Sequence, residues 1–150
     1  MATLHAESLP HQGDVRAEQF KLAAAWATSE RGPAAVVGDL NVVSLDELRP
    51  CEDADLVDAY IAATGRADDT FNLTYSKAAH GSSEPKRLDY VFAHDARPVS
   101  ARLLGNEPLV NEQGELLECL EGRDGHVFPS DHLGVEVELE LPRADRRSQL

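Results

Sequence analysis

The sequence predicts an α+β fold, a mixed β-sheet with helices on one face. Three observations point there. A helix-like stretch lies between two strand-like runs near the start of the chain. Short helical segments follow, and most of the remainder reads as strands. The last strand alternates strictly, with Val135, Val137, Leu139 and Leu141 against Glu136, Glu138 and Glu140. Period two with one acidic face marks a half-exposed strand near a sheet edge.

Taken in order, Thr3 to His5 reads as the tail of a strand. Asp14 is placed to cap a helix, its carboxylate accepting from free amides of the first turn. Val15, Gln19, Leu22 and Trp26 fall at helical spacing, and Ala23 to Ala25 are strong helix formers. Gly32-Pro33 ends the segment, so the spacing predicts a helix over 14–30. Ala34 to Val37, apolar and followed by Gly38, reads as a buried strand. Ser44 to Glu47 has capping-box spacing and opens one helical turn. Asp55 to Thr64 reads as a second short helix, stopped by Gly65.

Thr70 to Thr74 reads as a strand and His80 to Pro85 as a polar loop. Arg87 to Phe92 alternates, with Leu88, Tyr90 and Phe92 on one side and Arg87, Asp89 and Val91 on the other. Val99 to Leu104 is a further strand. Between Gly105 and Gly125, Leu116 to Leu120 suggests one more short strand. The end of the chain, 143–150, is a polar tail.

The 150 residues fit one domain, or a piece of one. With 42% hydrophobic and 27% charged residues, the chain carries enough apolar surface to fold. No run of about 18 apolar residues occurs, so no segment reads as a transmembrane helix. MATLHAESLPHQGD lacks the basic start and apolar stretch of a secretory signal. Cys51 and Cys119 make neither a disulfide framework nor a zinc knuckle, and read as thiols of a reducing, cytoplasmic compartment. The 14 basic and 27 acidic residues leave a net charge of −13, which argues against indiscriminate nucleic-acid binding. A phosphate substrate held by a few local cations or a metal ion remains compatible with it.

Three segments carry candidate chemistry. Gly38-Asp39-Leu40-Asn41 sits where the buried strand ends. Asp39 and Asn41 read either as turn residues or as a carboxylate and an amide pointing the same way from an extended segment. The second arrangement suits phosphoryl chemistry, one group moving a proton while the other contacts an oxygen or a water. Asp89 lies in strand-like Arg87-Leu88-Asp89-Tyr90-Val91-Phe92. It either faces solvent, pairs with Arg87 or Lys86, or serves a site, because a buried carboxylate needs a partner. Ser130-Asp131-His132 is either an ordinary polar loop or a cation-holding carboxylate beside a proton-transferring imidazole. His5 is a further candidate, whereas His11, His80, His94 and His126 acquire no role from sequence.

The combination is more specific than its members. Leu4-His5-Ala6-Glu7-Ser8 is followed by Arg16 and Gln19, Gly-Asp-Leu-Asn at 38–41, Arg-Leu-Asp-Tyr-Val-Phe at 87–92 and Ser-Asp-His-Leu-Gly-Val at 130–135. This resembles the C-terminal part of the endonuclease/exonuclease/phosphatase superfamily, the DNase-I-like metal-dependent phosphoesterases. The resemblance covers about residues 3–139. It implies part of a four-layer α/β/β/α sandwich, with residues 1–142 forming the C-terminal portion of the domain.

Position by position, the resemblance makes Asp131 the carboxylate that ligates Mg²⁺ or Mn²⁺. His132 becomes the histidine beside the scissile phosphate, and Asp89 the carboxylate that orients it. Asp39 and Asn41 become the pair that positions or deprotonates the attacking water and contacts the phosphate. His5 becomes the second histidine, which hydrogen-bonds or protonates the phosphoester. The function implied is hydrolysis of phosphoester bonds by a Mg²⁺- or Mn²⁺-dependent, phosphodiesterase-like enzyme. The substrate is a small molecule, a lipid headgroup or a nucleic acid. Lys77, Lys86 and Arg87 either contact phosphate or form a solvated cluster, and Phe71 and Tyr75 either stack on a base or pack.

The resemblance also implies an N-terminal half that is missing here, with an early Asn and a metal-binding Glu. Nothing before His5 supplies them. A sheet normally packed on another would expose apolar surface. At about 25 cal/mol per Å², several hundred Å² left uncovered forfeits on the order of 10 kcal/mol. The expectation is therefore a truncated or inactive copy, or a half that needs a partner, which alone forms homo-oligomers or is partly molten. The alternative function is a non-catalytic structural or binding module descended from such an enzyme.

Overall fold

A computed structural model describes residues 1–29, 32–71, 85–118 and 126–143. Strand β1 (Ala2–Thr3) is followed by helix α1 (Gly13–Ser29) and strand β2 (Ala34–Asp39). A 3-10 turn (Leu45–Leu48) leads into α2 (Arg49–Asp53), β3 (Val57–Asp58) and α3 (Ala59–Thr64). Strands β4 (Asp89–His94), β5 (Arg97–Leu104) and β6 (Gly134–Glu140) complete the described elements. The four-stranded sheet has the order β1-β2-β4-β3, and β5 pairs with β6 in a separate ribbon. Strand β1 is parallel to β2, which is why a helix connects them. The β2–β4, β3–β4 and β5–β6 pairs are antiparallel, so the main sheet is mixed as the sequence predicts.

Strand parity sorts the core. Val36 of β2 and Tyr90 and Phe92 of β4 join Phe20, Ala24 and Ala27 of α1 and Cys51 of α2 on one face. Val91 and Ala93 turn the other way, with Ala59, against Val37, Val135, Val137 and Leu139. Strand β4 is thus buried on both sides. Helices α1 and α2 lie on one face as expected, whereas α3 packs through Ala59 on the other, beside the β5–β6 ribbon. Among the described residues, strand β6 pairs only with β5, and its burial alternates along its length, which is the half-exposed edge expected. Among the described residues, no helix is long and apolar enough to cross a membrane.

Several local expectations are corrected. Asp14 sits inside the first turn of α1, where its charge complements the helix dipole, and not before it. The buried stripe of α1 is Arg16, Phe20, Ala24 and Ala27, while Val15 and Leu22 are exposed. The helix is rotated from the expected face because buried Arg16 is drawn inward by Glu47. Ser44 precedes the 3-10 turn without a side-chain cap bond, while the Glu47 carboxylate accepts from Arg16 and from the Val43 amide. Residues 55–58 are not helical. Asp58 caps α3 by accepting from the Ile61 amide, and Gly65 ends it in the left-handed region with φ 70°. Of the strand expected over 70–74, Phe71 makes single bridges to Lys86 and His132, and 72–74 lie outside the described residues, as do 80–84 of the expected loop. Leu116 and Glu118 make only isolated bridges, to Val110 and His126, and 119–120 lie outside the described residues, as do Lys77, Tyr75, Cys119 and 144–150. Buried Cys51 is a free thiol whose pKa is pushed up to about 11, chiefly by burial, so it is a poor nucleophile.

Candidate active site

The site forms where five backbone segments meet at one end of the sheet. The Leu4 and Ala6 amides donate to Val37 and Asp39, extending the β1–β2 pairing past the strand. Alternation then places Leu4 and Ala6 toward the helices and exposes His5 on the opposite face. On β2 and β4, Asp39 and Asp89 are direct cross-strand partners on that same face. The Leu40 amide donates to Leu88, prolonging this pair. Beyond β4, the amides of Thr70 and Phe71 donate to Lys86, and the Leu133 amide donates to Thr70. That last bond seats His132 beside Asp89.

Gly38 makes the approach of the first two segments possible. A Cβ at that position would lie 1.9 Å from the Leu4 carbonyl oxygen, and its φ is 145°. Glycine alone tolerates both. Behind the site, buried Arg16 donates to Glu47 and to the carbonyls of Glu7, Leu9 and Pro10. Gln19 accepts from the Glu7 amide. Together these bonds tie the loops after His5 and Asn41 to α1.

His132 is the hub. Its Nδ1 lies 2.8 Å from Asp89 Oδ2, and its Nε2 lies 3.9 Å from Asp39 Oδ2. The Asp89 hydrogen bond holds the His132 pKa above the ordinary imidazole value against partial burial, and the charges of Asp89, Asp39 and Asp131 add to it. His5 Nε2 lies 3.6 Å from Asp39 Oδ2. Phe71 packs its ring against His132, with centroids 4.9 Å apart, which favours its packing role.

The structure therefore brings His5, Asp39, Asp89 and His132 together. Asn41 reaches the same place differently from expectation. Strand β2 ends at Asp39, and Asn41 has a positive φ of 48°, so the two side chains do not share an extended face. Instead Asp39 Oδ1 accepts from the Asn41 amide, and the Asn41 side-chain amide donates to the Ala6 carbonyl. Asp89 does not pair with Arg87 or Lys86, since Arg87 is clamped by Asp58 across 2.6 Å and stacks over Tyr90. Asp131 is half-buried beside the hub, with Ser130 Oγ 3.4 Å from its Oδ1.

Asp39, Asp89 and His132 each offer one ligand atom, all within 4.8 Å of one another. The carboxylates of Asp39 and Asp89, with Asp131 next to His132 in the chain, offer oxygen donors of the kind that suit Mg²⁺ or Mn²⁺. Asp131 is not a member of that close group.

Sequence reasoning missed one member of the arrangement. Thr70, 1% exposed, donates to Asp89 Oδ2 across 2.7 Å. No sequence signal distinguished it from an ordinary strand threonine.

A mixed sheet that gathers an imidazole and carboxylates at its strand ends is the architecture of a phosphoesterase-like fold. The family description "Endonuclease/Exonuclease/phosphatase family" matches residues 2–132, and the chain belongs to that family. No curated protein matches the sequence. Among solved structures, D. rerio TDP2 humanized by 14 mutations is 19% identical with a TM-score of 0.67, over 92% of this chain and 53% of that one. The mannosyl-6-phosphatase of Bacteroides thetaiotaomicron is 22% identical with a TM-score of 0.61, over 91% and 49%. The beta toxin of Staphylococcus aureus is 18% identical with a TM-score of 0.61, over 91% and 50%. The chain thus spans about half the length of these structures.

Proposed function

We propose that this site hydrolyses phosphoester bonds, with a phosphodiester as substrate and Mg²⁺ or Mn²⁺ as cofactor. The observation that carries the reading is His132, held by Asp89 through Nδ1 and turning Nε2 toward Asp39. Attack on phosphorus places extra negative charge on the phosphate oxygens. His132, charged over a wider pH range than a free imidazole, meets that charge through Nε2. Asp39, anchored by the Asn41 amide, takes the proton of the attacking water or orients it. His5, exposed beside Asp39, hydrogen-bonds the leaving oxygen or returns a proton to it. A divalent ion held by Asp131, as the family resemblance implies, would supply Lewis-acid neutralisation of the phosphate. Family membership and a mannosyl-6-phosphatase among the matched structures support the reaction class.

The test is hydrolysis of bis(p-nitrophenyl) phosphate with Mg²⁺ or Mn²⁺, with and without EDTA. Turnover that EDTA abolishes is the expected result, and absence of turnover with either metal overturns the reading. A second reading, a binding module descended from such an enzyme, is favoured by Asp131 lying outside the close group of Asp39, Asp89 and His132. That reading predicts retention of a phosphodiester without cleavage.

A further inference from the structure

Thr70 is saturated in a way that leaves its hydroxyl no freedom. Its backbone amide donates to Lys86, and its carbonyl accepts from Leu133. Its Oγ1 accepts from both the Leu88 and the Asp89 amides at 3.0 Å. A hydroxyl has two lone pairs and one proton. With both lone pairs engaged, the proton has one destination, Asp89 Oδ2 at 2.7 Å. Asp89 Oδ2 is also the atom that faces His132 Nδ1.

We propose that Thr70 is the positioning residue of the site: its hydroxyl proton locks the Asp89 carboxylate so that Asp89 must receive a proton from His132 Nδ1. This rests on the reading of His132 as the group that meets the phosphate. An oxygen already accepting from a hydroxyl with no other outlet is held as a carboxylate, so the second hydrogen in the contact belongs to the imidazole. His132 then carries Nδ1–H, and Nε2 is the nitrogen left turned toward Asp39. Thr70 adds the matching backbone restraint. The same residue bonds the Leu133 amide, so one side chain and one carbonyl fix both ends of the Asp89–His132 contact.

The test is proton NMR of the whole chain without metal. A His132 Nδ1–H resonance in the far-downfield region, assigned by its loss in His132→Gln, is expected in the wild type and in Thr70→Ser. In Thr70→Val it disappears through exchange with water, while far-UV circular dichroism stays native. An unchanged resonance in folded Thr70→Val overturns the role of Thr70. Should Thr70→Val not fold, the wild type still decides: the locked proton predicts a slowly exchanging Thr70 hydroxyl, and a rapidly exchanging one overturns the proposal. With bis(p-nitrophenyl) phosphate and Mg²⁺, kcat falls about 10–100-fold in Thr70→Val with KM little changed, and Thr70→Ser restores it. A wild type that shows both protons but no turnover refutes the hydrolase reading and leaves the role of Thr70 standing.

Discussion

Asp39 and Asp89 oppose each other directly across the β2–β4 pair, on the same face of the sheet. Like charges in that position destabilise a sheet. His132 offsets them by reaching both carboxylates, one from each ring nitrogen. The electrostatic demand of the fold and the proposed catalytic geometry are thus met by the same residue.

Replacing that residue separates the two. His132→Ala is expected to lower kcat on bis(p-nitrophenyl) phosphate by at least about 10²-fold, the lower end for a positioned acid or base. Far-UV circular dichroism should stay native, because the ring is only partly buried. Unchanged turnover would remove His132 from the mechanism.

The pKa of His132 fixes the sign of a pH effect. The folded state holds it above 6.5, first through the Asp89 hydrogen bond. Its contribution to stability is fully present below pH 6.5 and is lost as pH rises through the folded-state value. NMR titration of the imidazole should show the raised value, and Asp89→Asn should bring it down. A titration unaffected by Asp89→Asn would contradict this attribution.

Glu47 gives the opposite sign. Its carboxyl is held below 4.5, first by the Arg16 hydrogen bonds. That stability is present above pH 4.5 and is lost as pH falls through the folded value. Glu47→Ala leaves the fully buried Arg16 guanidinium without its counter-ion. Breaking such a pair costs about 3–5 kcal/mol, measured as a lower urea midpoint. A loss under about 1 kcal/mol would class the pair with weak surface bridges.

Gly38→Ala tests the close approach of the first two site segments. The added Cβ meets the Leu4 carbonyl, a backbone atom that cannot rotate away, and the backbone there has a positive φ. Strain alone costs about 1–3 kcal/mol, and the clash adds to it. Urea unfolding should show the loss, and activity should fall with it because His5 lies one residue beyond Leu4.

Strand parity made half of the site legible in the sequence. Alternation within 87–92 already separated Asp89 and Val91 from Leu88, Tyr90 and Phe92, and the core follows that division. The same parity failed at Asn41, because a positive φ breaks the alternation just after β2 ends. Thr70 was illegible, since its role depends on amides eighteen and nineteen residues later. Helix α1 was found but rotated: three of its buried residues, Ala24, Ala27 and Arg16, give no apolar stripe to read. Arg87 looked like a partner for Asp89 until Asp58 arrived from β3, a two-residue strand too short to announce itself.

The open side of the molecule supports one more expectation. The amides of Leu4 and Ala6 are spent on β2, so alternation turns the backbone groups of Thr3 and His5 to the free edge of β1. On the sheet face that carries the ribbon, Val37, Val135, Val137 and Leu139 are only partly buried. A strand edge without a partner among the described residues, beside incompletely covered apolar residues, favours association. A net charge of −13 opposes it through repulsion that salt screens. The isolated chain should therefore self-associate, more strongly as ionic strength rises, and bind the dye ANS. Light scattering coupled to size exclusion measures this directly. A single-chain mass at every salt concentration, with a sharp cooperative melt and no dye binding, would mean that the ribbon and the helices already cover enough of the sheet for it to stand alone.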